Sequence, residues 1–578
     1  MKLLSLALVN KKLQLLIRRF PVVLLMIAGI AGLMFVEIND IGPIIPYPWW
    51  VFFIVGTFIS LVATLGTENQ KNWLWKYGII LGSVLLLGVY CFFLPPEDHL
   101  HFDHFLQIGL GGIAFIPAIF FISFLKKNRD TAFWAFSIKT IFYGCLAFLF
   151  GIFLFAGLCL AVYSIDSLFD VNVEEEFYGN LLIICFILFS PVYFLANIPG
   201  KTAKYDEDIS FPKALKILGL YILSPILGLY ILILYAYLAR IIAAWELPDG
   251  WVSVLVSTLA SSGLLLILIL YPLYWKKENK VAVFLSRYFG LLLLPLLALM
   301  TIGIFRRIGD YGLTINRGYL VLLNAWFYAI FIYLSVTRSK HIKWIVISPA
   351  VILFLASVGP CRVSRITQRA LMHRLEVCFA QAGLLENGKL PPAGSSDFFL
   401  NADNETKERV AETLKYLVDT YGVEAVQPFF AEDVGVRSRF DLMAGLNLSP
   451  VKPSDDSFYI TMDDIYFQPI AGYTSFVEID LSPRHKKTAP ALLKNDSLYF
   501  ENERDRRSFV LPLKEQTLRL IDAQETTQGY LPFAPDSQTG LVRGKDCLLL
   551  IKSIGGKRSA ANGDSLTVHS LSGYLFYN

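Results

Sequence analysis

The sequence predicts an all-α polytopic transmembrane bundle of about eleven helices, followed by a soluble α+β domain with a mainly antiparallel β sandwich or barrel. Three observations carry that expectation. A mean hydropathy of +0.54 over 578 residues is a membrane-protein value. The long apolar runs stop near residue 360, and short alternating runs take over after it. Charge divides at the same place. From Cys361 onward there are 25 Lys+Arg and 28 Asp+Glu, so the +4 of the whole chain is a +7 membrane half joined to a −3 tail.

Residues 1–19 place Lys2, Lys11, Lys12, Arg18 and Arg19 around a short apolar run, which reads as a retained cytoplasmic lead-in and not as a signal peptide. The bundle is expected over 20–360, with spans at roughly 21–37, 48–66, 77–95, 105–125, 136–163, 178–198, 215–238, 251–275, 288–305, 319–336 and 343–360. Each is near the ~20 apolar residues that cross a bilayer, and the fifth is over-long. Alternate loops differ sharply in charge: 22 Lys and Arg fall on the side of the N-terminus and 4 on the other. The positive-inside rule then sets the N-terminus in the cytoplasm, and an odd number of spans sets the C-terminal domain in the periplasm of a bacterial inner membrane. No Asp, Glu, Lys or Arg lies at the depth of the bilayer centre, and Asn324 is the most polar side chain well inside. Ion-coupled carriers usually need a buried ionisable group, so that class loses weight. Ser190-Pro191, Ser224-Pro225 and Ser348-Pro349 interrupt three spans, and Gly109–Gly112 a fourth, as kinks that neighbouring helices satisfy.

The tail divides into an extracytoplasmic helical neck at 361–456 and an extracytoplasmic antiparallel β domain at 457–578. Leu371, Leu375, Cys378 and Ala382 mark one apolar helix face, and a second helix runs from about Glu405 to Tyr421, ended by Gly422. Strands are expected at FYITM, YFQPI, FVEIDL, SLYFE, FVLPL, TLRLIDA, CLLLIKS, SLTVHSL and YLFYN, with turns at Glu501–Glu503, Gly555-Gly556 and Asn562–Asp564. An oxidising compartment permits a Cys378–Cys547 disulfide, with Cys361 as a third thiol.

Among candidate sites, the stretch Arg306–Arg317 stands out as a polar loop with three of the four cationic residues on the outer side. Arg306, Asp310, Tyr311, Thr314 and Arg317 combine guanidinium, carboxylate, phenol and hydroxyl groups, a set suited to anionic lipid headgroups or to an envelope protein or polymer. The plainer alternative is that Asp310 pairs with an Arg and the loop caps two helices. Trp245, Pro248 and Trp251 form an interfacial turn that either anchors at headgroup level or faces a ligand. His99, His101 and His104 sit with Glu97, Asp98 and Asp103 in one loop; these are zinc-type ligands, but their spacing matches no common zinc pattern, so no metal is expected. Lys552–Ser559 lacks the first glycine of a phosphate loop and reads as a turn between strands. No cofactor motif, catalytic signature or nucleic-acid patch is present, and the bilayer is the one partner composition demands.

Arg19-Phe20-Pro21, the run Trp245–Val252, and Tyr311-Gly312-Leu313-Thr314 with Arg317 resemble a bacterial multi-pass membrane family catalogued as domain of unknown function 4153, over roughly residues 15–360. The tail is similar to the C-terminal extension of its Bacteroidetes-type members. The resemblance implies an inner-membrane protein without assigned activity, supplies no catalytic residues, and adds weight to the Tyr311–Arg317 stretch. The expected role is non-enzymatic: a bundle displaying a periplasmic domain for envelope interaction or sensing. The opposing class is a transporter or lipid-handling protein for a neutral or lipid-like cargo, with Asn324 and the broken spans lining its path.

Overall fold

A computed structural model describes residues 6–96, 100–125, 129–171, 173–200, 211–244, 251–359, 362–381, 389, 404–429, 457–463, 475–481, 491–494, 497–502, 507–527, 531–532, 541–543, 547–559 and 565–577. The chain forms two compact units, Met1–Phe379 with Thr413–Gln427, and Ala380–Glu412 with Pro428–Asn578.

The first unit is helical throughout. After α1 (Leu6–Arg19) come α2 (Pro21–Ile38), α3 (Tyr47–Thr67) and α4 (Trp73–Phe92). A stretch from Phe102 to Phe124 follows, made of α5 (Phe102–Ile113), α6 (Phe115–Phe121) and a short 3-10 turn. Next are α7 (Asp130–Phe169), α8 (Glu175–Leu182), α9 (Ser190–Asn197), α10 (Lys213–Lys216), α11 (Ser224–Ala244), α12 (Trp251–Trp275), α13 (Lys280–Tyr311), α14 (Ile315–Thr337) and α15 (Trp344–Ser357). Among the described residues ten helices are long and apolar enough to cross a membrane, one fewer than the sequence predicts. The eleventh run forms α15, an apolar helix of only 14 residues.

Large apolar side chains cover the outside of this unit, with Phe92 84% and Leu168 76% exposed, as expected where the surrounding medium is hydrocarbon. Its core lies along α12, α13 and α14: Leu259, Phe289, Leu293, Met300, Phe327 and Phe331 are all buried. Close approach explains one glycine there, since a Cβ on Gly263 would collide with the Phe289 ring.

The Ser-Pro interruptions have a specific form. Residues Ile183–Phe189 and Ile217–Leu223 are π-helical, and each segment ends at a Ser-Pro pair. Proline offers no N–H to the preceding turn, and the wider π-turn lets the serine act instead. Ser190 Oγ donates to Cys185 O at 2.9 Å and Ser224 Oγ to Gly219 O at 2.6 Å. In α15, Ser348 Oγ donates to Trp344 O and accepts the Trp326 indole N–H at 2.8 Å.

Hydrogen bonds sort the inter-helix connections into two ends. At one, Arg19 pairs with Glu68 at 2.7 Å and donates to Ile198 O, Ser123 Oγ donates to Leu65 O, and Ser339 Oγ to Ser286 O. Buried Asp130 joins this end: it lies 3.3 Å from His341 Nδ1 and accepts the Lys343 N–H at 3.2 Å. At the other, Asn39 and Asn180 exchange amide hydrogen bonds, Tyr47 donates to Pro95 O, and Asp103 and Gln107 meet the start of α16 (Val363–Gln381). Thus α15 is tied at its start to Asp130 and, through the residues that follow it, to Asp103 and Gln107. Those are the two levels joined by the Phe102–Phe124 stretch, so the short helix with its flanks runs the same distance.

The second unit takes in the first part of α17 (Asn404–Tyr421) and, among the described residues, nine strands: β1 (Ser457–Asp463), β2 (Ser475–Asp480), β3 (Ala491–Lys494), β4 (Ser497–Asn502), β5 (Arg507–Pro512), β6 (Leu531–Pro532), β7 (Leu541–Arg543), β8 (Cys547–Ser559) and β9 (Ser565–Tyr577). They form a six-stranded sheet along β2-β9-β8-β1-β6, with β7 on β8, and a three-stranded sheet β3-β4-β5. Neighbours are antiparallel except β1 and β6, which pair in parallel, and among the described residues neither sheet closes into a barrel. Alternate positions Leu498 and Phe500, Leu511 and Leu513, and Leu549 and Ile551 fill one core.

Two expectations are corrected here. TLRLIDA is not a strand but part of a helix, α18 (Lys514–Thr527), because its buried Thr517, Leu520 and Ile521, with Leu513 just before the helix, recur at three- and four-residue spacing. Gly555-Gly556 is not a turn; it lies inside β8 at a register shift against β9, so Lys552–Ser559 is strand throughout. Cys378 and Cys547 are free thiols in the structure. The runs YFQPI and Asn562–Asp564 lie outside the described residues.

Candidate functional site

The stretch Arg306–Arg317 is mostly helix. α13 continues to Tyr311, and only Gly312, Leu313 and Thr314 separate it from α14. Arg306, Arg307 and Asp310 therefore project from the last turns of α13, and Arg317 from the first turn of α14. Gly312 makes the sharp stop possible. Its φ is +81°, and a Cβ there would meet Arg374 Nη1 at 2.8 Å and Leu371 at 3.1 Å. Leu371 and Arg374 belong to α16, so the turn is packed from outside.

Around this turn the polar groups converge. Arg317 is half-buried; its Nη1 donates to Gly312 O at 2.7 Å, and its guanidinium carbon lies 5.4 Å from the centre of the Tyr311 ring. Arg374 Nη2 donates to Asp310 O at 3.0 Å. The Ile315 N–H, first donor of α14, is taken by Tyr416 Oη of α17 at 2.9 Å. Thr314 stands at the N-cap position with no capping bond from its hydroxyl. Arg307 and Arg374 both lie within electrostatic reach of Arg317.

The carboxylate that could neutralise this group is directed elsewhere. Asp310 is 4.0 Å from Arg306, an exposed i,i+4 contact. That much of the helix-capping alternative holds. Among the described residues, Arg307, Arg317 and Arg374 meet no carboxylate. Three guanidinium groups beside two phenols and a hydroxyl form an electropositive focus with donors to spare.

The other candidates are less gathered. Asn324 is buried in α14; its Nδ2 donates to Thr301 Oγ1 at 2.7 Å, Thr301 is 3.2 Å from Tyr328 Oη, and Asn324 Oδ1 has no partner. Trp245, Pro248 and His99 lie outside the described residues, and Trp251 is the first residue of α12. The His101 and His104 rings are 6.1 Å apart, and no three His, Cys, Asp or Glu side chains converge among the described residues.

A second polar group escaped the sequence reading. Buried Asp103 accepts from Gln107 Nε2 at 2.9 Å and Ser364 Oγ at 3.2 Å, and Arg362 Nη1 donates to Gln107 Oε1 at 2.8 Å. Tyr421 lies 2.6 Å from Thr367 Oγ1 and donates to Ser364 O at 2.9 Å. Burial pushes its phenol up to about 12. Only Asp103, beside the histidines, had any local signal. Arg374, Tyr416 and Tyr421 read as ordinary residues of amphipathic helices, and their roles arise from contacts many residues away.

Residues 24–380 match the family model described as "Domain of unknown function (DUF4153)". Uncharacterized protein PM1469 of Pasteurella multocida (strain Pm70) is 30% identical over 223 residues, 37% of this chain and 37% of that protein, so the match spans well under half of the relative. No solved structure matches. The matched segment takes in nine of the ten candidate spans whole and the first from residue 24, together with the Gly312 turn and Arg374, and on that extent the chain belongs to the DUF4153 family of polytopic membrane proteins.

Proposed function

We propose that this protein is a non-enzymatic bacterial inner-membrane protein whose periplasmic face recognises an anionic envelope component. The observation that carries the reading is the pair Arg317 and Arg374 at Gly312, with Arg307 within electrostatic reach of Arg317 and none of the three meeting a carboxylate among the described residues. Guanidinium forks suit phosphate and carboxylate groups, and unneutralised charge at a helix junction raises the local concentration of anions.

The orientation rests on charge. The end that carries Arg19, Asp130 and His341 holds the cation-rich loops and is assigned to the cytoplasm. The Gly312 turn is then periplasmic. The ties at both ends of α15 support reading it as an eleventh crossing, and on that reading the chain after it is assigned to the periplasm.

A transporter or lipid-handling role is the second reading. Two π-helical interruptions and the unpartnered Oδ1 of Asn324 favour it, because freed backbone and buried acceptors can line a cargo path.

Native mass spectrometry of the purified protein tests the first reading. An anionic species should stay bound to the wild type and be lost from Arg317→Ala at unchanged protein yield. Equal retention by both proteins would overturn it.

A further inference from the structure

Arg317 and Arg374 reach Gly312 from different parts of the chain. Arg317 belongs to the membrane bundle and donates to Gly312 O at 2.7 Å. Arg374 comes from α16, which follows the last apolar helix, and its Nη1 would lie 2.8 Å from a Cβ on Gly312. Arg307 adds a third guanidinium from α13 and is exposed. Like charges brought together in this way repel, so the contact between α16 and the α13–α14 junction carries an electrostatic cost that Asp310, turned to Arg306, does not relieve. Tyr416 of α17 holds the same junction through the Ile315 N–H.

We infer that a phosphate-class oxyanion, seated between Arg307, Arg317 and Arg374, clasps α16 and α17 onto the membrane bundle. This rests on the anion-recognition reading above and adds both the ligand's class and its effect. Donors arrive from three helices, and a tetrahedral group has oxygens to meet all three. A carboxylate has two oxygens in one plane, fitted to a single fork. Neutralising the group turns repulsion across the junction into attraction through the ligand, in the way a phosphate orders a segment opposite an arginine cluster. Occupancy is thereby linked to how firmly the neck is held, and the chain beyond α17 is where such a change would be felt.

The test is hydrogen exchange of the full chain, read on residues 363–381 and 413–421, with binding followed in parallel by calorimetry. Inorganic phosphate added to detergent-solubilised protein should slow exchange in both segments in a saturable way, and acetate at equal ionic strength should not. Arg374→Gln should remove the slowing. Arg307→Gln, at an exposed position that leaves packing untouched, should weaken phosphate binding about fivefold. Nanodiscs of phosphatidylglycerol compared with phosphatidylethanolamine, both without added phosphate, identify the source. Slowing in phosphatidylglycerol supports the clasp with a lipid phosphate as ligand. Slowing with inorganic phosphate alone supports it with a soluble one. Phosphate binding without slowing would overturn the clasp and leave anion recognition standing. Equal effects of acetate would overturn the assignment to the phosphate class. If neither phosphate nor acetate binds and phosphatidylglycerol has no effect, both readings fall.

Discussion

Tyr421 shows how much a single side chain in the neck can hold. Its hydroxyl serves Ser364 O and Thr367 Oγ1 in a buried setting. Tyr421→Phe is expected to lower stability by about 1 kcal/mol, measured by thermal unfolding in detergent. The pH dependence has a definite sign. The fold favours the neutral phenol, whose pKa rises from near 10 to about 12. Its contribution is therefore complete below the unfolded value and is lost as pH climbs through the folded one. Wild type should lose stability between those values, and Tyr421→Phe should lack that component. Gly312 is constrained twice, by its positive φ and by Arg374. Gly312→Ala is expected to cost more than ~1 kcal/mol, and an unchanged melting temperature would contradict the packing described. Gly312 and Arg317 were visible in the sequence as part of an unusual polar stretch. Arg374, 62 residues beyond Gly312, was not, because nothing local distinguishes it from a solvated arginine.

At the scale of elements, apolar runs located the membrane helices well, since a bilayer imposes length and composition together. Their ends were less visible. The polar residues Arg306, Arg307 and Asp310 suggested a loop, yet helix continues under them to Tyr311, as long side chains at a helix end can reach water without breaking it. TLRLIDA misled for a related reason: over seven residues, alternation and helical spacing share several positions. The interruptions at Ser190-Pro191 and Ser224-Pro225 were seen, but not that a π-turn accompanies each. Ser224→Ala removes the donor to Gly219 O and should destabilise α11 by about 1 kcal/mol. Asp130→Ala is expected to do more, because it removes the carboxylate that meets both His341 and the Lys343 N–H at the start of α15. Faster proteolysis near residue 343 would report it, and unchanged proteolysis would count against the pinning role.

For the whole molecule the deciding quantity is the sidedness of its loops. A periplasm-active reporter fused after Asn578 should be active, and one fused within 199–216 inactive; the reverse pattern would sink the orientation. The hydrophobic period changes near residue 457, whereas the two units part at Phe379, with Thr413–Gln427 returning to the first. That α16 and the second half of α17 group with the helical unit was not plain from that change. Helical periodicity shows that a face is buried without showing what covers it.

The ties that secure α15 have a consequence for how the protein is made. Asp103 and Asp130 emerge early from the ribosome, but their partners follow 261 and 211 residues later, at Ser364 and His341. Until those arrive, Asp103 has Gln107, four residues on, while Asp130 lacks both His341 and the Lys343 N–H. The insertion machinery must therefore shield a half-built assembly through most of translation. Nascent chains stalled short of the last apolar helix should be the ones quality-control proteases remove.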